Sequence, residues 1–296
     1  GTVDGGSANL SIVGNATVGG AVSNVTNYDV SGTTDLSANV TTSGTQTYDG
    51  NVTLGSNATL AGTNVSFGGA ITGSGKALTV NASGVTTFGG AVKIGSLSTD
   101  ASGTTAINGG AVTTAGDQSY GDNVTLGANA TLAGGNVSFG GTVTGAHTLT
   151  VDTAGDTTFG GAVNVTSLTT DAGGTTHING GSVTTSAGQS YGDAVSLGAN
   201  TVLTGSSGTF GSGVVGNGHD LVMTFSSNTT VNGTAFTGLA NLTSNGSGAT
   251  LLSGSLSTTG FQNYTTSVEL SDTTVLAGTN AVSYTHLRAH ETREDL

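Results

Sequence analysis

The stretch Tyr48-Asp49-Gly50-Asn51-Val52-Thr53-Leu54-Gly55 returns as Tyr120-Gly121-Asp122-Asn123-Val124-Thr125-Leu126-Gly127, and again as Tyr191-Gly192-Asp193-Ala194-Val195-Ser196-Leu197-Gly198. A worn copy runs from Tyr264 to Leu270, and the spacings of the four tyrosines are 72, 71 and 73. Phe67 and Phe139 are 72 apart, while Phe88 and Phe159, like Ile107 and Ile178, are 71 apart, so the long repeat is general. A shorter one lies inside it: an aromatic residue or Ile, a Gly-rich pair, a small residue, then Val or Ile. It starts at Phe67, Phe88, Ile107, Tyr120, Phe139, Phe159, Ile178, Tyr191 and Phe210, in steps of 21, 19, 13, 19, 20, 19, 13 and 19.

A unit of about 20 residues cannot bury its own apolar face and must stack on its neighbours. Segments such as Leu78-Thr79-Val80 and Val137-Ser138-Phe139 alternate apolar with hydroxyl residues, the period of a strand with one face buried. Gly-Gly and Asn-Gly pairs supply tight corners between them. No stretch within residues 1–282 has helical periodicity. The expected fold is all-β, a parallel β-helix or solenoid in which like residues pile into ladders. An antiparallel sandwich would not explain one motif recurring in steps of 19 to 21. The 13-residue step fits either a turn with one side shortened or a departure from the helix. About 15 turns at the usual strand spacing of roughly 4.8 Å would give a rod of about 70 Å. The inward stripe is expected to hold Val, Leu, Ile, Ala and the recurrent Phe, with Thr, Ser and Asn outside.

Composition agrees. Of 296 residues, 53 are Gly, none is Pro or Cys, and aromatic residues make up 5%, which suits a thin core better than a thick one. Without Pro, no ladder donor is lost. With 17 Asp and Glu against 4 Lys and Arg, and only Lys76 and Lys93 as cations in residues 1–282, nucleic acid is excluded as a partner. No apolar run of about 20 residues exists to insert into a membrane. The chain opens on Gly1 with neither Met nor a signal peptide, and reads as an internal piece of something longer.

Residues 157–163 (TTFGGAV), 168–176 (LTTDAGGTT) and 178–185 (INGGSVTT) resemble the repeats of very large bacterial exoproteins, the filamentous-haemagglutinin and autotransporter-like adhesins. The resemblance covers roughly residues 16–282 and is best from 47 to 210, with 211–282 more divergent. It implies a right-handed β-helical shaft, secreted across the outer membrane and presented at the cell surface. Its partners would be glycans or proteins of host or neighbouring cells, together with flanking repeats of the same longer chain. Residues 283–296 contain no Gly and resemble a translated sequencing-adapter tail; a short polar capping helix is the structural reading of the same stretch.

Catalysis needs convergent titratable groups. His147, His177 and His219 are scattered without metal-ligand spacing, and His177 stands where Ala106 does one long repeat earlier. No catalytic residue and no cofactor is expected. Asp49, Asp122 and Asp193 recur beside the Tyr-Gly corner and are the candidates for Ca²⁺. The Gly-Gly-x-Gly-x-Asp calcium repeat is absent, however, and Asp is a common turn former, so the turn reading is preferred. A solenoid of this kind could also be a polysaccharide-acting β-helix enzyme or an ice-binding module. Against the enzyme stand the lack of any Arg in the body and of long loops; against ice binding stand the uneven steps. Asn-x-Ser/Thr triplets at Asn51, Asn57, Asn64, Asn123 and Asn129 read as products of composition, with glycosylation a secondary possibility.

Overall fold

A computed structural model describes residues 1–271, 273–283 and 287–289. It contains parallel strands throughout, almost no helix, and about 14 turns of β-solenoid. These turns belong to two compact units, Gly1–Asp156 and Thr157–Leu296.

In the first unit every turn crosses three faces, mostly as short strands, while longer strands such as Val22–Val30, Ile71–Ala82 and Val92–Thr99 carry two neighbouring faces round a corner. Ala16–Val18, Thr34–Leu36 and Val52–Leu54 succeed one another on the first face. Val40–Thr42 and Ala58–Gly62 follow on the second, and Gln46–Tyr48, Val65–Phe67, Val85–Phe88 and Thr104–Ile107 on the third. Most strands are three or four residues long and read inward-outward-inward, so each places two side chains inside and one outside. The inward ladder of the third face runs Val30, Tyr48, Phe67, Phe88, Ile107, Leu126, each rung one turn beyond the last. Tyr48 and Phe67 stack at 5.3 Å, and Phe67 and Phe88 at 5.6 Å with planes 3° apart.

The second unit repeats the plan. Its ladders run Phe159, Ile178, Leu197 on one face and Val163, Val183, Leu203, Met223, Ser244, Tyr264 on the next. Thr170, Tyr191 and Phe210 occupy the third. Beyond Phe210 the pattern loosens, as the divergent sequence suggests. Thr229–Asn232 starts a separate four-stranded ladder, and Gly233–Ala235 forms a single 3-10 turn. Phe210 itself is only half-buried, unlike Phe67, Phe88, Phe139 and Phe159, and it meets Phe236 edge-on. Of the C-terminal tail, residues 284–286 and 290–296 lie outside the described residues. Leu287–Ala289 runs parallel to Val268–Leu270.

The 13-residue step is neither a shortened turn nor a departure from the helix. Ile107 lies on the third face, and Tyr120 lies on the second face of the following turn, paired with Thr99. Thirteen residues cover two faces of a turn of normal length. Ile178 to Tyr191 makes the same move in the second unit. The long repeat is therefore three turns and two faces, which is why Tyr120 stands one face earlier than Tyr48.

Uneven turn lengths are absorbed at the corners, where backbones of successive turns come close. Gly103 has φ +83° and sits over the Gly84 carbonyl oxygen, where a Cβ would overlap it. Gly174, one long repeat later, has φ +69°. Gly103→Ala is expected to cost about 2–4 kcal/mol, from the left-handed backbone and the overlap together. Thermal unfolding of the variant checks this; an unchanged Tm would mean the corner has room to move.

One expectation about the core needs correcting. Many Thr residues lie inside, among them Thr34, Thr86, Thr99, Thr105, Thr170 and Thr176. Thr is nearly the shape of Val; the Thr99, Thr105, Thr170 and Thr176 hydroxyls find partners at corners, whereas those of Thr34 and Thr86 are buried without one.

Candidate functional site

The recurrent tyrosines mark a nine-residue corner whose decisive residue precedes them. Residues 40–48 (VTTSGTQTY), 112–120 (VTTAGDQSY), 183–191 (VTTSAGQSY) and 256–264 (LSTTGFQNY) share it. In the second copy the Tyr120 hydroxyl donates to Gln118 Oε1 at 2.9 Å. Gln118 Nε2 donates to the Val112 carbonyl of its own turn at 3.2 Å and to the Ala133 carbonyl of the next turn at 2.9 Å. The Thr114 hydroxyl, 3.3 Å from the same nitrogen, closes the corner by donating to the Gly116 carbonyl at 2.7 Å. Gln46, Gln189 and Gln262 make the same bonds to tyrosine hydroxyl and to carbonyls of two successive turns. All four Gln are 1% exposed or less. Burial holds the Tyr48, Tyr120, Tyr191 and Tyr264 phenols well above their ordinary pKa, so they stay neutral donors. Sequence reading found the tyrosines and missed the glutamines. The signal was the long-period recurrence of Gln-x-Tyr itself.

The three aspartates do not form one kind of site. Asp49 directly follows its tyrosine and is exposed, at the corner between third and first faces. Asp122 and Asp193 come two residues after theirs, and the strand period turns them inward, 4% and 2% exposed. Asp122 lies at the corner between second and third faces, so it does not stack with Asp49. Its carboxyl accepts from the Thr105 hydroxyl at 2.8 Å and the Thr99 hydroxyl at 3.2 Å. Asp193 accepts from Thr176 at 2.7 Å and Thr170 at 3.2 Å, while its Oδ2 is buried without a hydrogen-bond partner. Burial pushes both carboxyls above the usual range, the hydroxyl bonds pull partly back, and Asp100 or Asp171 nearby pushes up again. Threonine hydroxyls are the side-chain partners of both carboxyls, and they leave Asp193 Oδ2 unmet. Among the described residues no group of three or more His, Cys, Asp or Glu is placed to hold a metal ion.

A pH dependence follows. With a folded pKa above the unfolded one, the unfolded chain releases its proton first as pH rises. Stability is therefore full below the unfolded pKa of about 3.9 and is lost as pH climbs through the folded value. D122N/D193N should flatten this fall of Tm between acid and neutral pH and melt higher than the parent at neutral pH. D49N, which removes one charge at the surface, should leave the slope in place. Parallel slopes for parent and double variant would contradict the assignment.

The Asn-x-Ser/Thr triplets have a structural origin beyond composition. The Oδ1 of Asn51, Asn57, Asn64, Asn123 and Asn129 accepts the backbone N–H of Ala70, Ala77, Val85, Thr142 and Thr148, each one turn onward, at 2.7–3.0 Å. The next residue points inward and the hydroxyl residue after it outward or to the side. Corner clip, inward apolar, outward Thr or Ser is the local grammar that writes the triplet.

On the outer surface of the second face Thr59, Thr79, Ser98, Ser119 and Ser138 form a ladder in register. Uneven turn lengths do not disturb it, because corners take up the difference. The ladder is one hydroxyl wide, flanked along the strands by Ala61, Asn81 and Asp100. His147, His177 and His219 are half-exposed on separate turns. Among the described residues no helix is long and apolar enough to cross a membrane. Compared with protein-family models, curated proteins and solved structures, the chain matches none of them.

Proposed function

We propose that the chain is a structural and adhesive segment of the shaft of a secreted bacterial surface protein, without catalytic activity. It is presented outside the outer membrane, with further repeats on either side. Glycans or proteins of host or neighbouring cell surfaces are its partners, met weakly and at many equivalent points. The observation that carries this reading is the absorption of unequal turn lengths at the corners, so that face ladders stay in register turn after turn. A fold of this kind extends by repetition, and each added turn offers another outward rung. A net charge of -13 favours solubility and keeps parallel shafts apart.

Two measurements test it. Antibodies raised against the chain should label intact cells of the producing bacterium, and beads coated with it should be held on cell layers under flow, more firmly with tandem copies. Labelling only after permeabilisation, or retention no better than that of bare beads, would overturn the proposal.

A further inference from the structure

We propose that a groove on the corner between the first and second faces, in three successive turns of the first unit, binds a carboxylated saccharide, with Lys93 as the counter-ion of the carboxylate.

The groove arises from unequal corners. From first-face to second-face inward residue, Ile71 to Leu78 takes seven steps, its partner turn from Val92 to Leu97 five, and the following turn from Val112 to Gln118 six. The tightest corner is thus set back between two fuller ones. The first of these bulges between Gly73 and Ala77, where Gly75 has φ +66°. The recess, about 400 Å³, is lined by residues 72–75 of one turn, Lys93 and Ile94 of the next, and residues 113–115 of the third. That volume falls in the roughly 300–1,000 Å³ range of small-ligand sites and has room for one or two sugar rings.

Its chemistry is unlike the rest of the chain. Thr72, Ser74 and Thr113 bring hydroxyls to the rim, Ile94 closes the bottom, and no carboxylate lines it. Residues 1–282 hold only two Lys and no Arg; Lys93 lines the groove and Lys76 directly follows Gly75 of its wall. In a chain of net charge -13 both body cations therefore fall at one corner. They are not demanded by the fold, because the next long repeat has His147 in place of Lys76 and Asn164 in place of Lys93. One ammonium among the lining hydroxyls, with a second beside the wall, suits a carboxylate on a polyhydroxylated ring. Lys acts as a point charge rather than a two-pronged fork, so the surrounding hydroxyls must orient the bound group.

The inference stands apart from the shaft reading, since it concerns the isolated chain wherever that chain is displayed. The test is titration of the full chain, by calorimetry, with a trisaccharide of galacturonic acid, its methyl ester and a sulfated neutral trisaccharide. The uronate should bind at millimolar concentration, and both esterification and Lys93→Asn should weaken it about tenfold. Lys93→Asn installs the residue of the sister repeat, so the fold is kept, and circular dichroism verifies this. Equal binding of the ester, undiminished binding by Lys93→Asn, or tighter binding of the sulfated sugar would overturn the assignment.

Discussion

Phe67→Ala is expected to destabilise the first unit by about 3–5 kcal/mol, the range for a fully buried phenylalanine. Phe67 has no exposed surface and lies between Tyr48 and Phe88 in a stack with centroid separations of 5.3 and 5.6 Å. Its loss removes two ring contacts as well as the transfer energy, and adjacent aromatic pairs add roughly 0.5–1.5 kcal/mol each. The neighbours are tied to ladders on both sides and cannot close over the gap, which puts the effect toward the upper end. Urea unfolding followed by far-UV circular dichroism measures it. Because a solenoid can open locally, hydrogen exchange in the flanking third-face strands should rise with it. A loss under about 1 kcal/mol would mean that the ring does not sit in a sealed column.

Gln118→Ala should be comparably damaging although it removes no aromatic surface. The side chain bonds Tyr120, Val112 and Ala133 from inside the wall, so truncation strips one partner from each of three groups, two of them buried and the Ala133 carbonyl part-buried. Leaving a buried polar group unpaired costs about 1–3 kcal/mol, which brings the expected total to about 3–5 kcal/mol. Tyr120→Phe, which deletes only the hydroxyl, should cost about 1 kcal/mol. Gln118→Leu keeps the bulk and should not rescue. Full stability in Gln118→Leu would show that the site needs volume and not hydrogen bonds, and the clamp would lose its meaning.

Much of the fold is legible in the chain. The recurrence of Phe, Ile and Tyr at near-constant steps announces the turn, and the inward-outward alternation of Val137-Ser138-Phe139 is local strand chemistry. What resisted reading was phase. Asp49 and Asp122 look alike beside their tyrosines, yet a single-residue difference in offset puts one in water and the other inside, against Thr99 and Thr105. Those threonines are 23 and 17 residues earlier, and no local pattern joins them to the aspartate. Likewise Gln118 looks like an ordinary polar residue before a tyrosine until Ala133, on the next turn, is brought within 2.9 Å of it.

Turn length, the alternation along each strand and the positions of corners follow from neighbours along the chain, because backbone sterics and the two-residue strand period act over a few residues. Which face a residue occupies is set by pairing with a strand about one turn away, so it depends on the summed lengths of all intervening corners. That sum is why thirteen residues from Ile107 lead to another face, and why a recess opens beside Lys93 where three unequal corners meet.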